Sequence, residues 1–136
     1  MKIRPMKITD YASMVALWRA TPGVRLVAAD SEASISAFLA RNPGMSFVAE
    51  ERGALIGTAM CGHDGRRGFL YHVAVRADLR GRGIGSEMVR RCLGSLRQEG
   101  IDKCSVFVLA DNELGKAFWG KGWTLREDIA LFSKDI

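Results

Sequence analysis

The sequence predicts an α/β domain built on a mixed central sheet, and three observations carry that expectation. Apolar runs with a period of two alternate with runs at helical spacing, in the order β-α-α-β-β-β-α-β-α-β. The strand-like run at residues 68–75 leads through an arginine- and glycine-rich turn, residues 78–86, directly into a helix-like run at 84–99. A compact apolar strand at 104–109 follows, and a strand–helix–strand unit of this kind closes as a parallel pair through a right-handed crossover. A chain of 136 residues is the size of one domain, here 1–136, and can bury a substantial core.

Each element has its own signal. Residues 2–7 read as a short strand, and Pro5 places it at an edge, because proline cannot donate to an interior ladder. Thr9 and Asp10 start a helix whose apolar stripe is Tyr11, Met14, Val15, Leu17 and Trp18. Thr21-Pro22-Gly23 ends it, and residues 24–30 form a loop. Ser31 caps a second helix carrying Ile35, Phe38 and Leu39, stopped at Asn42-Pro43-Gly44. Strands at 45–51 and 55–62, turned at Arg52-Gly53, join the 68–75 strand in a three-strand meander. In the helix after the turn, Ile84, Met88, Cys92 and Leu96 fall four apart with Val89 and Leu93 beside them, until Gly100. Asp111 and Asn112 open a last helix at 113–121. A final strand is expected at 129–133, with one more short strand near 123–126.

Composition excludes several classes. Hydrophobic content of 48% with 26% charged residues is that of a globular protein. The absence of an apolar leader or a membrane-length apolar run predicts a cytoplasmic protein with no membrane partner. Cys61, Cys92 and Cys104 are odd in number and scattered, which reads as reduced thiols, with neither a disulfide frame nor a metal site. The net charge of +5 raises nucleic acid as a partner, but no reader motif or array of aromatic residues accompanies it. Instead Arg76, Arg80, Arg82, Arg90, Arg91 and Arg97 concentrate on the turn and its helix, as a ligand bearing several phosphates would require.

The turn sharpens that reading. Glycines at 81, 83 and 85 leave main-chain N–H groups approachable, and the helix that follows directs its free N–H groups and positive dipole end to the same place. A P-loop would need a lysine after the glycines, and a dinucleotide fingerprint a glycine where Ser86 stands. The pattern that fits is Arg-x-x-Gly-x-Gly at Arg80, Gly83 and Gly85. In these residues the chain resembles the GNAT superfamily of acetyl-CoA-dependent N-acetyltransferases, and the element order matches along nearly the whole chain. Ile56-Gly-Thr58, His63-Asp-Gly65, Arg67-Gly68 and residues 80–84 are most similar to small stand-alone bacterial members of the YpeA type.

The resemblance implies a mixed sheet of six to seven strands, splayed between the fourth and fifth and flanked by about four helices. It implies acetyl-CoA as co-substrate, an amine acceptor, direct transfer in a ternary complex and, as in many relatives, a homodimer. The backbone of Val73, Ala74 and Val75 would hold the pantetheine arm and help polarise the acetyl carbonyl. Arg80, Gly81, Arg82, Gly83, Ile84, Gly85 and Ser86 would hold the pyrophosphate. Asn112 matches an asparagine that contacts the pantetheine, and as a residue type it also suits a helix N-cap. The tyrosine that many relatives place in the last helix falls at Trp119 or at Phe118, depending on the end counted from, and neither ring carries an acidic O–H. Trp119 could pack on the CoA arm.

The sequence leaves the base open. Regular alternation turns Phe69, Tyr71, Val73 and Val75 one way and Leu70, His72 and Ala74 the other. Tyr71 is the catalytic candidate, for binding the amine or relaying its proton. His72 titrates in an apt range as a residue type, but alternation aims it away unless a bulge re-phases the strand. Glu50, Glu51 or a water chain would serve as well. Acceptor specificity is expected in the 21–30 loop and near 125–128, neither of which carries a readable motif. A CoA-binding domain without turnover is the alternative reading.

Overall fold

The computed structural model describes residues 1–136. Five strands form one sheet in sequence order: β1 (Lys2–Pro5), β2 (Phe47–Glu51), β3 (Ala54–His63), β4 (Gly68–Val75) and β5 (Cys104–Val106). The first four pair antiparallel, and β5 joins β4 in parallel. The helices are α1 (Tyr11–Arg19), α2 (Glu32–Arg41), α3 (Ile84–Gln98) and α4 (Glu113–Trp119). Pro5 does lie on the outermost strand, and Ser31 caps α2 by accepting from the Ser34 N–H at 3.2 Å.

Two cores sit on the two faces of the sheet. On one face α3 packs Ile84, Met88, Cys92 and Leu96 against Ala49, Ile56, Ala59, Cys61 and Leu70. Burial of each large side chain there contributes roughly 1.5–3 kcal/mol. On the other, α1 and α2 pack Met14, Leu17, Trp18 and Ile35 against Val48, Met60 and Ala74.

The sheet is shorter at its far edge than the sequence pattern predicted. The expected strand at 104–109 pairs only through residue 106, and residues 123–136 form no strand. Trp123 packs against the α3-side core, but Leu131 and Phe132 are 69% and 92% exposed. An edge strand of three residues offers too little ladder to fix another strand beside it.

The second difference is inside β4. Thr58 faces Ala74 and Met60 faces Tyr71, so the single residue Ala59 stands opposite both His72 and Val73. This is a β-bulge, with His72 in the left-handed region at a φ of 48°. The bulge reverses the alternation. Tyr71 and His72 both meet the α1/α2 side, where Phe38 and Trp18 contact them, while Val73 and Val75 pack into the α3 core. The expected grouping of Tyr71 with Val73 and Val75 therefore fails, because one extra residue enters the strand between them.

Candidate active site

β4 loses a neighbour halfway along. Gly68, Phe69 and Leu70 pair with β5, but from Tyr71 to Val75 the strand has its β3 partner only. A gap thus opens along the main chain of Val73, Ala74 and Val75, an edge that an extended ligand can pair with. The gap leads to the turn before α3.

At that turn Gly81 and Gly83 take φ values of 82° and 78°, which side chains disfavour, and a Cβ on either would meet nothing within 4 Å. The helix ladder begins with the Glu87 N–H donating to Gly83 O at 3.0 Å, so the N–H groups of Ile84, Gly85 and Ser86 point out of the helix end unshared. α3 is 15 residues long, and its dipole adds to their pull on an anion.

The arginines divide sharply. Arg76 is tied to Asp78 at 2.7 Å, and Arg90 and Arg91 both bond Glu87, whose carboxyl they draw down to about 2. Arg80 and Arg82 have no carboxylate within ion-pair distance; Arg80 only turns its Nε to Val75 O at 3.2 Å. Of the six arginines on the turn and its helix, Arg80, Arg82 and Arg97 are left without a carboxylate, and Arg80 and Arg82 are the two that lie in the turn itself.

Around the gap stand aromatic rings. Phe38 meets Tyr71 edge-on with centroids 6.0 Å apart, and Phe69 stacks on Phe107 at 5.7 Å. Tyr71 is 39% exposed, and partial burial raises its hydroxyl above the ordinary range, so it stays protonated and can donate but not abstract. From α4, Phe118 comes nearest to the turn: a Cβ at Gly85 would lie 3.4 Å from its ring and 3.6 Å from Val75 Cγ2. Trp119 packs inward on the α3-side core and meets Trp123 at 4.8 Å. Asn112 caps α4 by accepting the Gly115 N–H at 2.9 Å, and its amide also fills the space above Gly23 in the loop after α1.

Among the other candidates, Glu50 is engaged by Arg4 at 3.3 Å, which takes it away from a cationic substrate. The thiols are unreactive as placed. Burial pushes Cys104 up to about 12, and the neighbouring Cys61 thiol together with burial pushes Cys92 well above the ordinary range.

Residues 12–123 match the model of the Acetyltransferase (GNAT) family. The chain belongs to that family. Among similar GNAT proteins, an acetyltransferase of Sodalis glossinidius is 30% identical over 137 residues, covering 100% of this chain and 96% of that one. An acetyltransferase of Photorhabdus laumondii is 34% identical over 117 residues, covering 83% and 78%. In fold, the chain is similar to the PaiA N-acetyltransferase of Thermoplasma acidophilum in complex with coenzyme A, with a TM-score of 0.74, 17% identity and coverage of 88% and 86%. No helix of this GNAT domain is long and apolar enough to cross a membrane.

The unpaired stretch Val73–Val75 thus runs into the turn at residues 80–86, with Phe118 beside Gly85, while Asn112 stands at the start of α4 against Gly23. The fold also builds a cluster that sequence reasoning did not assemble, Trp18–His72–Asp30. His72 was visible as a residue type, but no sequence signal pairs it with Asp30, 42 positions away in the loop before α2.

Proposed function

We propose that this GNAT protein transfers the acetyl group of acetyl-CoA directly to a primary amine held on the α1/α2 side of the gap. One observation carries the reading: three unshared N–H groups, two unpaired arginines and two open glycines converge at the turn to which the gap beside β4 leads. The pyrophosphate would lie on the N–H groups of Ile84, Gly85 and Ser86, over Gly81 and Gly83, with Arg80 and Arg82 supplying charge. The pantetheine would extend along Val73, Ala74 and Val75 and pass Asn112, with Phe118 and Trp119 closing the α4 side. A main-chain N–H of the unpaired β4 edge would polarise the acetyl carbonyl as the tetrahedral oxyanion forms. The aromatic wall of Phe38, Phe69, Tyr71 and Phe107 would receive the body of the amine, and the Tyr71 hydroxyl would donate a hydrogen bond there.

The thiols favour direct transfer. Cys92 and Cys104 are held as neutral thiols and Cys61 is buried out of a substrate's reach, which supports transfer without an acyl-cysteine intermediate. The departing CoA thiolate, with an ordinary thiol pKa of about 8.5, leaves without a tyrosine at Phe118 or Trp119.

The test is calorimetric titration of acetyl-CoA into the wild type and into Arg80→Ala/Arg82→Ala. Removal of two charge-assisted contacts should weaken binding by roughly 2 kcal/mol or more, about 30-fold. A folded wild type that does not bind acetyl-CoA refutes the proposal. Binding without acetylation of any amine in a broad panel would favour a CoA-binding domain that does not turn over.

A further inference from the structure

On a regular strand His72 would face α3. The bulge sends it instead to the side where Tyr71 and Phe38 stand, and several contacts fix it there. Thr58 Oγ1 donates to His72 O at 2.7 Å while accepting from Trp18 Nε1 at 2.9 Å. The imidazole lies 4.5 Å from the Trp18 ring. Its Nε2 is 2.7 Å from Asp30 Oδ1, and the two side chains are only 15% and 10% exposed. A non-glycine residue at positive φ costs roughly 1–2 kcal/mol, so the surroundings impose this placement.

Asp30 is itself held. Its Oδ2 accepts the Val27 N–H at 2.9 Å, and its main-chain oxygen accepts the Tyr11 hydroxyl at 2.6 Å. An ionised carboxylate can only accept, so against Asp30 Oδ1 the neutral His72 ring carries its proton on Nε2, which leaves a lone pair on Nδ1. Nδ1 has no protein partner, and no buried side-chain nitrogen or oxygen in the molecule lacks one, so Nδ1 is open to water. Trp18 from α1 packs on the ring and Asp30 is the charged group bonded to it, while Thr58 from β3 holds the main-chain carbonyl of His72.

We propose that His72 is the base that takes the proton of the acceptor ammonium at Nδ1, and that Asp30 positions the ring and offsets the imidazolium charge. The proposal rests on the acetyltransferase reading above. The ammonium N–H bond breaks and the proton moves to Nδ1. The freed nitrogen pair then forms the C–N bond to the acetyl carbon, and the C–S bond breaks with its pair going to sulfur. Of the two protons then on that nitrogen, one neutralises the thiolate and the other stays as the amide N–H, and the His72 proton passes to water. The sum is ammonium plus thioester giving amide, thiol and one released proton. His72 has the role of a positioned acid–base group within the stretch of β4 that has no partner on its β5 side.

The test uses His72→Asn, because asparagine tolerates a left-handed backbone, and compares tyramine with hydroxylamine as acceptors. Tyramine is an ammonium at neutral pH, whereas hydroxylamine is already the free base and needs none. The expected result is a loss of about 100-fold in kcat/KM with tyramine, little change with hydroxylamine, and unchanged acetyl-CoA affinity by calorimetry. Asp30→Asn should show a smaller loss with the same dependence on the acceptor. Equal losses with both acceptors would mean that His72 only supports the fold, and full retention with tyramine would remove it from the reaction. Long-range proton–nitrogen NMR of the wild type gives a readout that needs no acceptor: neutral His72 should carry its proton on Nε2. A proton on Nδ1 overturns the base while leaving the cofactor site standing. Failure of wild type to bind acetyl-CoA overturns the reading beneath both.

Discussion

Replacing Thr58 by valine tests the relay that holds the β4 bulge. The side chain is fully buried, and valine keeps its shape and its preference for extended backbone. What is lost is one hydroxyl that serves two partners: the Trp18 indole N–H at 2.9 Å and the His72 carbonyl at 2.7 Å. Trp18 is 0% exposed, so water cannot replace the acceptor. A buried polar group left unpaired costs about 1–3 kcal/mol, and two of them about 3 kcal/mol with the half-accessible carbonyl at the low end. That is a large share of the roughly 5–15 kcal/mol that holds a domain folded. In urea, with a slope near 2 kcal/mol per molar, the midpoint should fall by about 1.5 M. Thr58→Ser keeps the relay and loses only a methyl group, for about 1 kcal/mol. A valine variant within about 0.5 kcal/mol of the wild type, or a serine variant less stable than the valine one, would refute the relay.

Three further expectations can be checked alongside. Gly23→Ala should destabilise by about 2 kcal/mol and weaken acetyl-CoA binding, because Gly23 has a φ of 88° and its Cβ would lie 2.7 Å from Asn112 Cγ; thermal unfolding with titration reads both, and a neutral substitution would show that this loop does not rest on α4. Asp10 is held below the ordinary carboxylate range, first by the Arg4 guanidinium at 2.8 Å and then by the Lys7 N–H, against the opposing effect of burial. Below an ordinary value of about 3.9 the unfolded chain therefore binds more protons there than the folded one, and stability falls as pH drops through that window. Arg4→Leu should make this acid slope of the melting temperature shallower, and an identical slope would rule out the pair as its source. Cys104→Ala should leave turnover unchanged, and mass spectrometry of the wild type with acetyl-CoA alone should show no acetyl adduct; an adduct would overturn direct transfer.

The parts of the molecule legible in the sequence are those fixed by local chemistry. The Arg80–Ser86 turn, the Ser31 and Asn112 caps and the spacing of Ile84, Met88, Cys92 and Leu96 each declare themselves within a few residues. What escaped depends on distant partners. Nothing in Tyr-His-Val announces a bulge, since none of the three is glycine and all suit a strand; the kink is imposed by Thr58 and Trp18 from other elements. The division of the arginines was equally hidden, because Arg76, Arg90 and Arg91 count the same as Arg80 and Arg82 until Asp78 and Glu87 are seen to claim them. Ile129 and Leu131 alternate as a strand should, yet an alternating pattern needs a ladder beside it, and β5 ends at Val106.

The phase change at His72 also separates two demands that one strand would otherwise combine. Unbroken, β4 would put Phe69, Tyr71, Val73 and Val75 on a single face, so any change to the aromatic wall would disturb the valines seated beneath α3. With the extra residue, the first two belong to the α1/α2 side and the last two to the α3 core. Substitutions can then accumulate at positions 69 and 71 with little cost to the core, and if the proposed acceptor site lies there, the preferred amine could drift while residues 73 and 75 stay fixed.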